Sequence, residues 1–348
     1  MHGSKVLIIT TGHHEYDGRL LRHKQELLRS GFDTSIEVVA TSSRASRFLM
    51  GPFLAYKKII LNQTDCVILP DPELQLFLPP LICKKLAVVS DVHENYQKVI
   101  FDRRWIRLGF RNVIRIVTKI LEFIRDRWSH VVISVDSSIA SKDSFTVTNC
   151  PNPIDLPEPI ESEALLRLVY VGDIRESRGL SSMLELIKET PEVGLDLVGP
   201  CNDIDLENLL CSMDLSDRVV WHGRKPYNES WEIASRCLAG LSLLSMTPSF
   251  ETAKPTKIWE YWAVGLPVLA SDLPGQRMMI DESSGGVVGS LEEIKKALML
   301  WVAEPVAARE IGIKGRQYLE QIFREENKTL QYAIHEAMRR FKANRNHF

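Results

Sequence analysis

No stretch of 18 apolar residues occurs in this sequence, so no segment is expected to cross a bilayer as a helix. Net charge is also scarce. Lys and Arg number 43 against 45 Asp and Glu, a balance of −2. That excludes a global field able to gather nucleic acid or acidic polymers, so any charged partner must be met locally. Cysteines are few and scattered, at Cys66, Cys83, Cys150, Cys201, Cys211 and Cys237, with no Cys-x-x-Cys pair and no histidine at zinc-ligand spacing. This argues against a zinc site and points to a reducing, cytoplasmic setting. The opening "MHGSKVLIITTG" lacks the charged-then-apolar order of a signal peptide. Internal repeats and low-complexity tracts are missing too.

What is present is an alternation of short β-branched runs with helical patterns, the mark of parallel sheets built from strand-helix-strand units. The first set of strands is predicted at 5–11, 34–40, 65–70, 86–92 and 130–135, the second at 166–172, 194–199, 218–223, 238–244 and 266–271. Between them "NCPNPIDLPEPIES" carries four prolines, which forbid continuous helix or a central strand and mark a connector. The expected domains are therefore 1–150 and 151–325, followed by an amphipathic helix within 326–348 carrying Leu330, Ile334, Met338 and Phe341. Ligands of open parallel sheets settle beyond the carboxyl ends of the strands. Two such sheets facing a central cleft suit an enzyme with two substrates.

In the second half, "KPTKIWEYWAVGLPVLAS" reads as a short helix between Pro255 and Gly265, with Thr256 as its expected cap. Its first amides, at 255–258, and Lys257 make an anion site, while Glu260, one turn deeper, suits neutral hydroxyls such as a ribose diol. A solvated glutamate beside core tryptophans fits the same pattern. Upstream, "YVGDIRESRGL" runs from a strand through Gly172 to Arg178, whose planar fork suits diphosphate oxygens. "VVWHGRKPYNE" turns through Arg224 and Lys225, which read either as base contacts or as solvated cations.

In the first half, "AVVSDVHENYQ" sets Asp91, His93 and Glu94 at a strand end, either as mutually tuning acid and base groups or as a helix-capping cluster. "TTGHHEYDGRLL" follows the first strand with His13, His14, the expected cap Asp17, and Arg19. Independently, 103–121 carries six cations and no acidic residue. Arg103, Arg107, Arg111, Arg115 and Lys119 line one side, and Ile106, Phe110, Val113, Val117 and Ile120 the other. Such a helix either lays its apolar side on the sheet or docks on anionic lipid at the inner face of a membrane.

Taken together these segments resemble the GT-B glycosyltransferases, specifically the retaining family 4 (group 1) type. The resemblance covers nearly the whole chain and implies two Rossmann-like domains, with the terminal helix crossing back to the first. It implies transfer of a hexose from a nucleotide-diphosphate sugar, UDP- or GDP-linked, to a hydroxyl acceptor, with retention and with neither metal nor cofactor. By the match, Gly172, Arg178, Thr256 and Lys257 hold the diphosphate, Glu260 the ribose, and Arg224 and Lys225 the base. His93 is the catalytic candidate, in a segment similar to the family's Asp-x-His-Glu, and His13, Arg19 and Glu94 lie on the acceptor side, a structural ion pair being the other reading of Arg19. The family's first glutamate position is taken by Thr252, with Glu251 one place earlier as the donor-sugar alternative. An arginine that often follows the loop glycine is replaced by Asp173, with Arg175 nearby. Two further readings remain: a nucleotide-sugar epimerase of the same fold, and a non-catalytic sugar-nucleotide-binding protein.

Overall fold

The computed structural model describes residues 3–13, 17–93, 108–136, 139, 144–159, 165–201, 206–215, 217–326 and 328–345. The chain divides into two compact units, Met1–Asn149 with Glu325–Phe348, and Cys150–Arg324.

The first unit holds strands β1 (Lys5–Thr10), β2 (Asp33–Val38), β3 (Cys66–Leu69), β4 (Ala87–Val92), β5 (Val131–Ser134) and β6 (Phe145–Thr146). They form one parallel sheet in the order β2-β1-β3-β4-β5-β6. Its helices are α1 (Gly18–Arg29), α2 (Arg44–Leu61), α3 (Pro72–Ile82) and α4 (Leu108–Trp128). Both faces of the sheet are covered, so the strands read as near-continuous apolar runs rather than alternating ones. In β1, Val6 and Ile8 join one core while Leu7 and Ile9 join the other, as a period of two requires. The first of these cores is completed from the far end of the chain, by Leu330, Ala333, Ile334 and Ala337.

In the second unit, β7 (Leu165–Val171), β8 (Gly194–Val198), β9 (Val219–Gly223), β10 (Cys237–Ser242), β11 (Val268–Ser271) and β12 (Gly286–Gly289) pair in the order β12-β11-β10-β7-β8-β9, again all parallel. The helices are α5 (Leu180–Glu189), α6 (Leu206–Ser212), α7 (Tyr227–Ser235), α8 (Thr256–Ala263), α9 (Pro274–Ser283), α10 (Leu291–Ala303) and α11 (Pro305–Glu326); α12 (Thr329–Arg345) is the one that returns to the first unit. In each sheet the winding reverses once, between β1 and β3 and between β7 and β10. Loops leaving those strands diverge at such a switch point and leave a crevice at the strands' carboxyl ends.

Two edge strands, β6 and β12, lie outside the predicted set. "FT" and "GVVG" are too short and too poor in alternation to announce themselves. α4 departs from the expected helix more tellingly. The part before Leu108, with Arg103, Ile106 and Arg107, lies outside the described residues, as do the side chains of Phe110 and Arg111. Within the rest, Val113, Val117 and Ile120 are exposed, and the side chains buried are Thr118 and Arg125. The apolar stripe is therefore not on the core side.

Candidate functional site

Of the residues singled out in the second unit, Gly172, Arg178 and Lys257 come together beside the ends of β7 and β10, where the winding reverses. Strand β7 ends at Val171 and passes into Gly172, whose φ of +140° leaves the chain in a region open chiefly to glycine. Gly172 lies beside the Lys257 side chain: a Cβ added there would sit 3.4 Å from its Nζ. The loop then follows its neighbour, with the Ile174 amide donating to the Pro200 carbonyl at 2.9 Å. It closes at Gly179, φ +88°, where any Cβ would strike the Leu243 carbonyl at 1.8 Å. This approach carries Arg178 to the loop after β10, and its guanidinium lies 4.9 Å from the Phe250 ring centre.

Helix α8 is seated by its aromatic residues. The Tyr261 hydroxyl accepts from the Val171 amide at 3.0 Å and lies 3.3 Å from the Val169 and Leu241 carbonyls, tying α8 to β7 and β10. Trp262 Nε1 donates to the Gly285 carbonyl at 2.8 Å. Trp259 and Trp262 are core residues. The helix begins one position earlier than the expected cap implies: Pro255, not Thr256, is the N-cap, Thr256 is the first helical residue, and no side chain makes a cap bond. Pro255 has no amide proton and the Ile258 amide is bonded to the Pro255 carbonyl. Helix geometry therefore leaves the amides of Thr256 and Lys257, not four amides, without an intrahelical acceptor.

Lys257 is the unusual member. Its side chain is 8% exposed, and Nζ, 3.7 Å above the Tyr170 ring centre, has no hydrogen-bond partner among the described residues. Burial holds the amine well below the usual lysine range; the positive charges of Arg178 and Arg175 push the same way, and Glu260 opposes. Leaving such a group unsatisfied costs roughly 1–3 kcal/mol. An incoming anion would remove that cost. Tyr170, raised to about 12 by burial, stays protonated beneath it.

Glu260 is 9% exposed and accepts from the Tyr227 hydroxyl at 2.9 Å. Tyr227 was not anticipated; its signal is an aromatic residue opening a helix straight after the Arg224-Lys225-Pro226 turn. Arg224 and Lys225 are exposed on that turn, Lys225 lying 3.8 Å from Glu229. Glu251 and Thr252 are exposed on the loop after β10, where the Glu251 carbonyl accepts from Gly275 at 3.1 Å. Asp173 pairs with Arg175 at 3.2 Å.

The first unit gathers a second cluster around its own switch point. Asp71, buried at the start of α3, accepts from the Thr10 hydroxyl at 2.6 Å and the Thr11 amide at 2.7 Å. Glu73 accepts from the Thr11 hydroxyl at 2.5 Å and from Arg47. These bonds hold the loop after β1 and present His13, whose Nδ1 lies 2.9 Å from Asp17 and whose ring lies 5.0 Å, edge to face, from His93. Burial alone would lower the His13 pKa, but the Asp17 bond and the charges of Asp71 and Asp17 outweigh it and raise it. Asp17 also caps α1 and falls to about 2, because its bond to His13 and the α1 amides outweigh its own desolvation.

Arg19 was expected on the acceptor side. It is instead 7% exposed and held by Asp91, with Nη2 to Oδ1 at 2.6 Å and Nε to Oδ2 at 2.9 Å, while Nη1 donates to Val147 and Asn149. His23, one turn along α1 on the same face as Arg19, meets the same carboxylate at 3.2 Å. A buried carboxylate demands such donors, and this one takes Arg19 away from any ligand. Glu94 and His14 lie outside the described residues.

Comparison with known proteins bears on this arrangement directly. Residues 157–318 match the family described as glycosyl transferases group 1. This segment is a group 1 glycosyltransferase domain. The transferase domain thus contains the whole cluster from Gly172 to Glu260. No curated protein sequence matches the chain. Solved structures similar to it include a sucrose-phosphate synthase from Thermosynechococcus elongatus (15% identity, 94% of this chain and 97% of that one, TM-score 0.73). Others are Anabaena HepE in complex with UDP-glucose (12%, 97% and 99%, 0.70) and WaaG, a glycosyltransferase involved in lipopolysaccharide biosynthesis (11%, 94% and 98%, 0.64). Both units of the chain are covered by these likenesses, which show the GT-B fold.

Proposed function

We propose that the chain transfers a hexosyl unit from a nucleotide-diphosphate sugar to a hydroxyl acceptor with retention, the donor held by the Cys150–Arg324 unit and the acceptor by the other. The observation that carries this reading is the Lys257 amine, buried with no hydrogen-bonding partner among the described residues, beside Gly172 and the start of α8. A diphosphate placed there would accept from the Thr256 and Lys257 amides and from Lys257 Nζ, with Arg178 at its edge. The same groups would stabilise the charge that grows as the diphosphate leaves, which is where positioned donors act most strongly. Glu260, oriented by Tyr227, would take the ribose hydroxyls, and Arg224 and Lys225 would lie toward the base. Glu251 and Thr252, on the loop that also carries Phe250 to Arg178, would border the transferred sugar.

In the first unit, His13 and His93 would meet the acceptor or the transferred sugar. His13, held toward its protonated form by Asp17, suits a hydrogen-bond donor more than a base, and His93 beside it is the catalytic candidate. A reducing, cytoplasmic setting is supported by Cys66, Cys83, Cys150, Cys201 and Cys237, all of which are thiols. Titration calorimetry with UDP and GDP tests the donor site, followed by incubation with UDP-, GDP- and dTDP-sugars. Slow donor hydrolysis, or transfer to an added acceptor, supports the proposal. Interconversion of the sugar would make the protein an epimerase, and binding without turnover a sugar-nucleotide-binding protein.

A further inference from the structure

Helices α2, α3 and α4 lie side by side in the first unit, α2 against α3 and α3 against α4. On α4, Val113, Ile116, Ile120 and Phe123 are 54%, 58%, 51% and 69% exposed. Their spacing of three and four residues makes one continuous stripe along the helix. α2 adds Leu49 and Phe53, 79% and 52% exposed. Single exposed apolar residues need no explanation, but stripes on helices of one layer do. Among the described residues, no helix is long and apolar enough to cross a membrane.

The charges beside these stripes are mostly positive. Arg115, Lys119 and Arg127 are exposed on α4, and Lys57 on α2. Lys57 Nζ lies 4.7 Å from the Phe53 ring centre, and the Arg127 guanidinium 5.1 Å from that of Trp128. The acidic residues of described α4 are Glu122 and Asp126, and Asp126 is paired with Arg125 at 2.8 Å. Apolar side chains pointing outward, with cations folded along them, match the depth profile of a bilayer surface: acyl chains first, anionic headgroups at the level of the ammonium and guanidinium groups. A second copy of the same face would satisfy the apolar surface but would bring like charges together. Anionic lipid satisfies both.

We infer that the outward face of α2 and α4 docks the protein on an anionic lipid bilayer, lying on it without crossing it. The test is co-sedimentation of the full chain with vesicles of phosphatidylcholine alone and of phosphatidylcholine mixed with phosphatidylglycerol. Binding is expected to the mixed vesicles only, weakening in high salt. R115Q with K119Q should lower it about 25-fold, since each cation near such a surface contributes about fivefold. I120E with F123E should abolish it at any salt. These positions are exposed, so thermal midpoints should be unchanged and the two effects readable. Failure of the wild type to bind mixed vesicles, or equal binding by both double variants, overturns the inference. So does a dimer in light scattering that F123E converts to monomer while vesicles are ignored, because the occupant would then be a second copy.

Discussion

The two units share one winding scheme and each saturates its buried carboxylates, Asp196 in the second being held by Arg167 and His222, yet they differ at one buried amine. In the first, Asp71, Glu73 and Asp91 are buried, and each is met by donors from neighbouring elements: threonines and Arg47 for the first two, Arg19 and His23 for the third. In the second, Lys257 is 8% exposed and has an aromatic face beneath it but no acceptor among the described residues. Saturated ion pairs of the first kind hold a loop in place. An unsatisfied amine of the second kind is destabilising until something arrives, and so marks where the ligand belongs.

The contrast can be broken most forcefully at Asp91. Asp91→Ala leaves Arg19 and His23 buried without their counter-charge and should cost about 3–5 kcal/mol in denaturant unfolding of the first unit. UDP affinity in calorimetry should be unchanged. Lys257→Met inverts the result: the thermal midpoint should hold or rise, while UDP affinity falls about 10- to 100-fold, the worth of a charged hydrogen bond. If Lys257→Met instead destabilised the fold and left binding intact, the distinction between the units would be gone.

Proton linkage sharpens the same point. The Lys257 pKa is depressed in the free protein, so between that value and the ordinary lysine range the amine is neutral when folded and protonated when unfolded. Its penalty therefore shrinks as pH rises, and an anion that restores the charge must take up a proton. UDP binding heats measured in buffers of different ionisation enthalpy should report uptake, affinity should weaken with rising pH, and Lys257→Met should remove both effects. The smallest expected change is at Tyr227. Tyr227→Phe removes the hydroxyl that orients Glu260 and should weaken UDP binding about fivefold, near 1 kcal/mol, with stability unaltered.

Much of this was legible before the structure. Fully buried parallel strands write themselves as apolar runs, so β1, β3, β4 and β8 stand out, whereas the edge strands β6 and β12 have too few residues to show a period. Gly172, Arg178 and Lys257 were legible because a loop glycine, a planar cation and a helix start each carry local chemistry. The partner of Arg19 was not, since Asp91 lies 72 positions away, and without it the acceptor-side and ion-pair readings both stayed open. Tyr227 and Glu260 likewise meet across 33 positions. Helix α4 shows the limit of periodicity. The spacing of Val113, Val117 and Ile120 defines a stripe, but not which side of the helix the rest of the unit occupies.

The return of α12 to the first unit has a consequence for biosynthesis. Leu330, Ala333, Ile334 and Ala337 sit at zero exposure in a core whose other walls include β1, β3, β4, β5 and α1. During translation the amino-terminal half therefore waits, one wall open, while the later half is made and can close on its own. The usual vectorial order is reversed, and a nascent chain stalled before residue 329 should recruit chaperones to its beginning rather than to its most recently made part.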